Sequence, residues 1–117
     1  KLWSFQQIGY LLGKRFGCLV RIGDPLPAWQ EKQNSPLKRL AARVFEAQRR
    51  RTMRVAAIHA GLEVSFIVKK NPLLDVVSVG VTTLDIHSPK ERLLLSTVAP
   101  HVRFLSEILR CIAVGDV

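Results

Sequence analysis

The stretch MRVAAIHAGLEVSFIVKKNPLLDVVSV, residues 53–79, decides the predicted fold. It opens with the short apolar run 53–58 and closes with 75–79, which is rich in valine and apolar on both faces. We predict that each run forms a buried strand and that residues 62–69 between them form a brief helix. Two strands joined by a helical crossover pair in parallel through a right-handed connection. The stretch therefore predicts a βαβ unit of the α/β class.

Helical patterns lie on both sides of this unit. Residues 2–16 place apolar side chains three and four positions apart, and a short strand is predicted at 18–22. Ser35, which is followed by a proline, supplies the N-cap of a second helix, and residues 96–112 have helical spacing again. Breakers and polar residues fill 23–34, which is therefore the candidate domain boundary.

The predicted sheet is too small to stand alone. Parallel sheets in α/β proteins normally have both faces and both edges covered by other elements. Here only about three helices and two or three strands are predicted. We therefore expect the chain to be part of a larger domain, and its start at Lys1 rather than at a methionine agrees with an excerpt of a longer protein.

The composition is typical of a folded, water-soluble domain. Of the 117 residues, 48% are apolar and 23% charged, which is enough for one packed core. The sequence shows neither the pattern of a secretory leader nor a run near the roughly 18 apolar residues of a membrane span, so we expect a cytoplasmic protein without a membrane partner. The two cysteines, Cys18 and Cys111, form no C-x-x-C pair. Free thiols in a reducing cytosol are the favoured interpretation, and one long-range disulfide is the alternative.

Positive charge is the strongest feature of the composition. Eighteen Lys and Arg face nine Asp and Glu, a net charge of +9, and seven of the cations lie between Lys38 and Arg54 against Glu46 alone. Such a field attracts nucleic acid or other anions, so a non-catalytic basic module that binds such a partner is one candidate function. Only Phe45 is interleaved with these charges, which leaves no stacking platform for single-stranded nucleic acid. A solvated surface is therefore the favoured interpretation.

Two histidines follow the two predicted strands. His59 comes directly after the first strand, and His87 comes soon after the second. Ligands bind at the carboxyl ends of strands in open α/β sheets, so both residues are candidates for a site, and a structural role is the alternative for each. Spacing alone identifies neither a complete metal-ligand set nor an activated Ser or Cys nucleophile.

The sequence around these histidines resembles that of a known family. The sequence contains A-I-H-A-G-L-E at 57–63, D-V-V-S-V-G at 75–80 and H-S-P-K-E at 87–91, after N-S-P-L at 34–37. Their order and spacing are similar to the C-terminal part of aminoacyl-histidine dipeptidases, which are carnosinase-like dinuclear zinc metallopeptidases. The resemblance covers residues 22–112.

The resemblance implies a function and roles for particular residues. The family hydrolyses dipeptides, typically those with a C-terminal histidine, with two zinc ions that activate a water molecule. His87 corresponds to a metal ligand, and Glu91 is expected to hold the loop behind it. Residues near the substrate would be His59, Gly61 and Glu63. The other ligands and the general base lie in a part of the family not represented here, so we expect residues 1–117 alone to be inactive.

The resemblance also implies a domain arrangement. Residues 1–28 would be the tail of an α+β lid or dimerisation domain, ending in its last helix and strand. Residues 29–117 would be the C-terminal part of a catalytic domain with a mainly parallel sheet, and the full enzyme would be a homodimer. The sequence departs from the family at Val64-Ser65, where Cys-Gly is usual, and at Lys90, where an acidic residue is usual. A degenerate remnant without activity is therefore a third candidate.

Overall fold

The computed structural model describes residues 2–24, 26–58 and 61–117. In this part of the chain there are four α-helices: α1 (Leu2–Arg15), α2 (Pro36–Arg49), α3 (Val64–Lys70) and α4 (Val98–Ala113). A 3₁₀ turn, Leu95–Thr97, leads into α4, and two short strands precede it, β1 (Thr83–Leu84) and β2 (Arg92–Leu93). None of these helices is long and apolar enough to cross a membrane.

The core lies between α2 and α4. Each helix carries apolar residues three and four positions apart, so one stripe of each is buried against the other. The buried side chains are Leu40, Ala41 and Val44 of α2 and Phe104, Ile108 and Cys111 of α4. The rings of Phe45 and Phe104 meet edge to face with centroids 6.2 Å apart, a favoured geometry for an aromatic pair. Both helices were predicted from the same spacing.

Two side chains cap the start of α2. The buried Ser35 accepts a hydrogen bond at Oγ from the Lys38 amide at 2.8 Å. Asp75, distant in sequence, accepts one at Oδ2 from the Leu37 amide at 2.9 Å. These bonds satisfy two amides that a helix N-terminus leaves without intrahelical partners. Asp75 therefore fastens the segment that follows α3 to the α2–α4 core.

Ionisation of Asp75 should stabilise this attachment. Partial burial favours the protonated form, but the hydrogen bond from Leu37, the Ser35 hydroxyl and nearby basic side chains outweigh it, so the pKa of Asp75 lies below its ordinary value. Since the folded-state pKa is below the unfolded one, the carboxylate stabilises the fold above the unfolded value, about 4, and this is lost as pH falls through the folded value.

We expect Asp75→Asn to lower the free energy of unfolding near neutral pH by about 1 kcal/mol, since the substitution removes a negative charge at a helix N-terminus. Denaturant titrations at several pH values would measure the difference from wild type, which should vanish well below the folded-state pKa. Asp24→Asn is the matched control because Asp24 is exposed. A difference that persists in acid would contradict the role given to the charge.

Helix α1 forms where residues 2–16 predict it, but its apolar stripe is uncovered. Within the described residues it packs against no other helix or strand, and Phe5 and Leu12 are 73% and 53% exposed. The strand predicted at 18–22 does not form. Both features have the same cause, since an apolar stripe and a strand each need a partner that this part of the chain does not supply.

The predicted parallel sheet is likewise not formed in the described part of the chain. Its two strands, 53–58 and 75–79, lie outside all strand pairing. The sheet that does form is an antiparallel hairpin, with Thr83 opposite Leu93 and Leu84 opposite Arg92. A strand is stable only when it is hydrogen-bonded to neighbouring strands. Two candidate strands without further strands therefore remain irregular. The architecture is therefore mainly helical with little sheet, which is compatible with a piece of a larger α/β domain.

Candidate functional site

The hairpin loop between β1 and β2, residues 85–91, has an internal hydrogen-bond network. The carbonyl of Asp85 accepts from the Ser88 amide at 3.2 Å and from the Ser88 hydroxyl at 2.7 Å. The Arg92 guanidinium donates to the Asp85 carboxylate at 3.0 Å. Asp85 and His87 have positive φ angles of 54° and 64°, which are uncommon for residues other than glycine. The network therefore holds two strained residues in one tight loop.

His87 is presented to solvent by this loop. Its amide donates to Oε2 of Glu91 at 3.0 Å, so the carboxylate fixes the backbone that carries the imidazole. The side chain is exposed and makes no hydrogen bond within the described residues. A neutral imidazole with a free nitrogen lone pair is a good ligand for zinc. The loop thus offers one positioned donor for a metal ion.

We expect Glu91→Ala to loosen the loop. The His87 amide would lose its acceptor, at a cost of about 1 kcal/mol, so its hydrogen exchange should become about five-fold faster. Hydrogen exchange followed by NMR would measure this amide directly. Glu63→Ala is the matched control, because the Glu63 carboxylate is exposed and caps no amide of α3. Equal exchange rates in wild type and Glu91→Ala would show that the carboxylate does not hold the loop.

The described residues do not make a metal site by themselves. No group of three His, Cys, Asp or Glu residues in ranges 2–24, 26–58 and 61–117 is arranged to hold a metal ion. Catalytic zinc commonly has three protein ligands. His87 therefore fits as a single contributed ligand, and a complete site would need donors from elsewhere.

A cavity of about 660 Å³ lies next to the irregular segments that the sequence predicts as strands. Its walls include 55–58, 76–78 and the loop 26–29, which contains Trp29. Gly61 also lines it, and a Cβ added there would meet the Leu26 side chain. The lack of a side chain at Gly61 therefore allows the Leu26 side chain to approach its backbone closely.

Ser65 is a cavity residue that the sequence analysis missed. It is 3% exposed, and its Oγ has no hydrogen-bond partner in the described part of the chain. Such a buried, unsatisfied hydroxyl is uncommon and marks a place where a partner belongs. The signal that could have identified Ser65 is helical spacing, because it lies three positions after Leu62 and both residues line the cavity. Helical spacing over 62–69 predicts that Phe66 and Ile67 face inward, but both are exposed, so this prediction is wrong.

The predicted site residues fall in separate places. His59 lies outside the described residues. Gly61 lines the cavity, and Glu63 is exposed at the start of α3. His87 and Glu91 are joined in the hairpin loop and are not among the residues that line the cavity. The structure therefore brings His87 together with Glu91 but does not bring either of them to Gly61.

The basic segment 38–54 has the features of a solvated helix face and turn. Two of its cations form ion pairs, Lys38 with Glu31 and Arg43 with Asp116. The guanidinium of Arg51 lies over the ring of Phe45, 5.5 Å from its centroid. Phe45 also packs against the core, so its ring is not available to stack on a base. These contacts favour a surface role over nucleic-acid binding.

Comparison with known proteins identifies a dipeptidase relative. The chain is 33% identical over 99 residues to the cytosol non-specific dipeptidase of Escherichia coli (strain K12). Those residues are 85% of this chain and 20% of the relative, so the chain spans about a fifth of the relative's length. No family model matches the chain, and no solved structure matches it. The similarity supports a dipeptidase-like relationship.

Proposed function

We propose that residues 1–117 are the C-terminal part of a zinc-dependent dipeptidase and are not competent alone. The observation that carries the proposal is the identity of 33% over 99 residues to a dipeptidase. The geometry of the hairpin loop supports it, because a network of hydrogen bonds presents the His87 imidazole to solvent without a competing partner in the described residues. The relative's name gives no preference for a C-terminal histidine. Action on Xaa-His dipeptides is therefore a separate and more specific part of this proposal.

In this proposal the residues of this chain contribute one zinc ligand and contact the dipeptide. His87 donates one ligand to a zinc ion, and Glu91 fixes the backbone of the ligand through its amide. The remaining ligands and the general base come from polypeptide outside residues 1–117. When bound, zinc would polarise the peptide carbonyl and make a water molecule more acidic. His59, Gly61 and Glu63 would contact the dipeptide, with Gly61 leaving its backbone open to close approach.

The proposal includes the domain arrangement. Residues 1–28 would end a lid or dimerisation domain, and residues 29–117 would belong to a cytoplasmic catalytic domain that functions as a homodimer. The exposed apolar stripe of α1 supports a missing partner for the first segment, since Phe5 and Leu12 lie uncovered.

The test is an assay of the full natural polypeptide that contains residues 1–117. We expect it to release free amino acids from dipeptides, to lose this activity with a chelator and to regain it with zinc. A panel of dipeptides with and without C-terminal histidine would measure the preference. Absence of hydrolysis across the panel in the presence of zinc would refute the proposal.

A further inference from the structure

The walls of the 660 Å³ cavity contain two stretches of unpaired main chain. Residues 55–58 and residues 76–78 both line it, and the sequence predicts a strand for each. In the part of the chain that the structure describes, no backbone N–H or C=O of either stretch takes part in a hydrogen bond with other backbone. Two strand candidates therefore line one space without pairing with each other.

Unpaired main chain of this kind is a template for a partner strand. Each residue of a strand presents a donor and an acceptor, and Val55 and Ile58 are 50% and 71% exposed, so this stretch is open to an added strand that would bury its apolar side chains. A single extended segment placed between two strands satisfies both, because adjacent strands lie about 4.8 Å apart and a strand bonds on both sides. The geometry points to a missing strand between residues 55–58 and 76–78.

The cavity walls also indicate the chemistry of that strand. The two stretches have the sequences V-A-A-I and V-V-S, without a charge, and Trp29 adds further apolar surface. The charged residues that line the cavity, Glu31 and Lys38, form an ion pair with each other. A strand between two uncharged neighbours in an α/β sheet is buried on both faces and reads as a continuous apolar run. The unpaired Ser65 hydroxyl adds one polar contact for a carbonyl group. The occupant is thus an apolar strand, rich in β-branched residues.

We propose that one apolar β-strand, supplied by the remainder of a longer dipeptidase-like polypeptide, occupies this cavity. The strand forms backbone hydrogen bonds with residues 55–58 on one side and with residues 76–78 on the other. The source rests on the proposed function, because this chain spans only 20% of the dipeptidase it matches. A sheet that is complete only with distant polypeptide also explains why the predicted parallel pairing does not form within residues 2–24, 26–58 and 61–117.

The test is reconstitution with a defined probe. Residues 1–117 are co-expressed with the Escherichia coli dipeptidase polypeptide from which the stretch matched by this chain has been deleted. We expect a one-to-one complex in which the amides of residues 55–58 and 76–78 exchange at least about ten-fold more slowly than in the chain alone. Absence of a complex, or a complex in which these amides still exchange rapidly, overturns the proposal.

Proline variants test the hydrogen bonds themselves. Val77→Pro removes one backbone donor in the cavity wall and should weaken the complex at least about ten-fold, because a central strand does not accept proline. Gln30→Pro is the matched control, since Gln30 is exposed, lies in no predicted strand, makes no backbone hydrogen bond within the described residues and does not line the cavity. An unchanged denaturation midpoint of the α2–α4 core shows that a variant still folds, and Ala56→Pro repeats the test on the other wall. Equal affinity of wild type and both cavity variants overturns the proposal.

Three further outcomes identify the source of the strand and distinguish this proposal from the proposed function. If residues 1–117 alone form a dimer with the same amides protected, the occupant is a second copy, and the proposed source is wrong. A protected complex that hydrolyses no dipeptide supports the strand and counts against the proposed function. Hydrolysis by a complex in which residues 55–58 and 76–78 stay unprotected supports the function and overturns the strand.

Discussion

Replacing His87 with alanine in the full natural polypeptide should lower kcat/KM for dipeptide hydrolysis by about 100-fold or more. Loss of a residue that only supports a metal ligand typically costs about 10–100-fold, and loss of the ligand itself should cost at least as much. Zinc content measured on the same preparations should fall with the activity. This double readout distinguishes a lost ligand from a disturbed substrate contact.

The hairpin loop offers a matched control for this prediction. Lys90 lies in the same loop and is exposed, and its amide rather than its side chain takes part in the loop network. Lys90→Ala should therefore keep activity and zinc content within about two-fold of wild type, as expected for a surface substitution. Unchanged zinc content and activity in His87→Ala would remove the basis for a metal at this loop.

Phe104→Ala should produce the largest loss of stability in this chain. The ring is 5% exposed, belongs to the buried cluster between α2 and α4, and packs edge to face on Phe45. Truncation of a buried phenylalanine costs about 3–5 kcal/mol, because contacts are lost and a cavity remains. Since small domains are stable by only about 5–15 kcal/mol, the variant should be largely unfolded or have a much lower denaturation midpoint.

Helix α4 itself supplies the control. Leu109 is 65% exposed on the same helix, so Leu109→Ala should change the free energy of unfolding by less than about 0.5 kcal/mol. Denaturant titrations followed by circular dichroism would measure both variants. If the two midpoints shifted equally, the contacts between α2 and α4 would not be what stabilises the chain.

The sequence predicts those parts of the fold whose partners lie within the chain. Ser35 and the apolar spacing after it predict α2, which begins at Pro36, and the spacing at 96–112 predicts α4, which covers Val98–Ala113. Helices are specified by local hydrogen bonds and one apolar stripe, and these two stripes cover each other. Their pairing could therefore form from information that residues 36–113 contain.

Strand pairing could not be predicted in the same way. Residues 53–58 have the composition of a strand, but a strand also needs neighbours, and the described residues provide none for them. The β1–β2 hairpin was missed for a different reason. Its loop uses Asp85 and His87 at positive φ instead of the Asn-Gly or Asp-Gly pair that usually signals a hairpin.

The candidate site was predictable only through family resemblance. Spacing made His87 one of two candidate histidines, and the resemblance of the H-S-P-K-E motif implied a role for it. No local pattern indicated that the Glu91 carboxylate would accept a hydrogen bond from the His87 amide. The cavity was not predictable at all, since the residues that line it are as distant in sequence as Trp29 and Val77. Ser65 became a functional candidate only when its burial was known.

The pairing of α2 with α4 also allows the length of the chain between them to change during evolution. Contact between Leu40 and its partners around Ile108 closes a long loop that contains the hairpin and both cavity walls. The entropy of closing a flexible loop rises slowly, by only about 0.6 kcal/mol for each doubling of its length. Insertions or deletions between the two helices should thus cost little at the core, so this region can diverge in length among descendants while the helix pair persists.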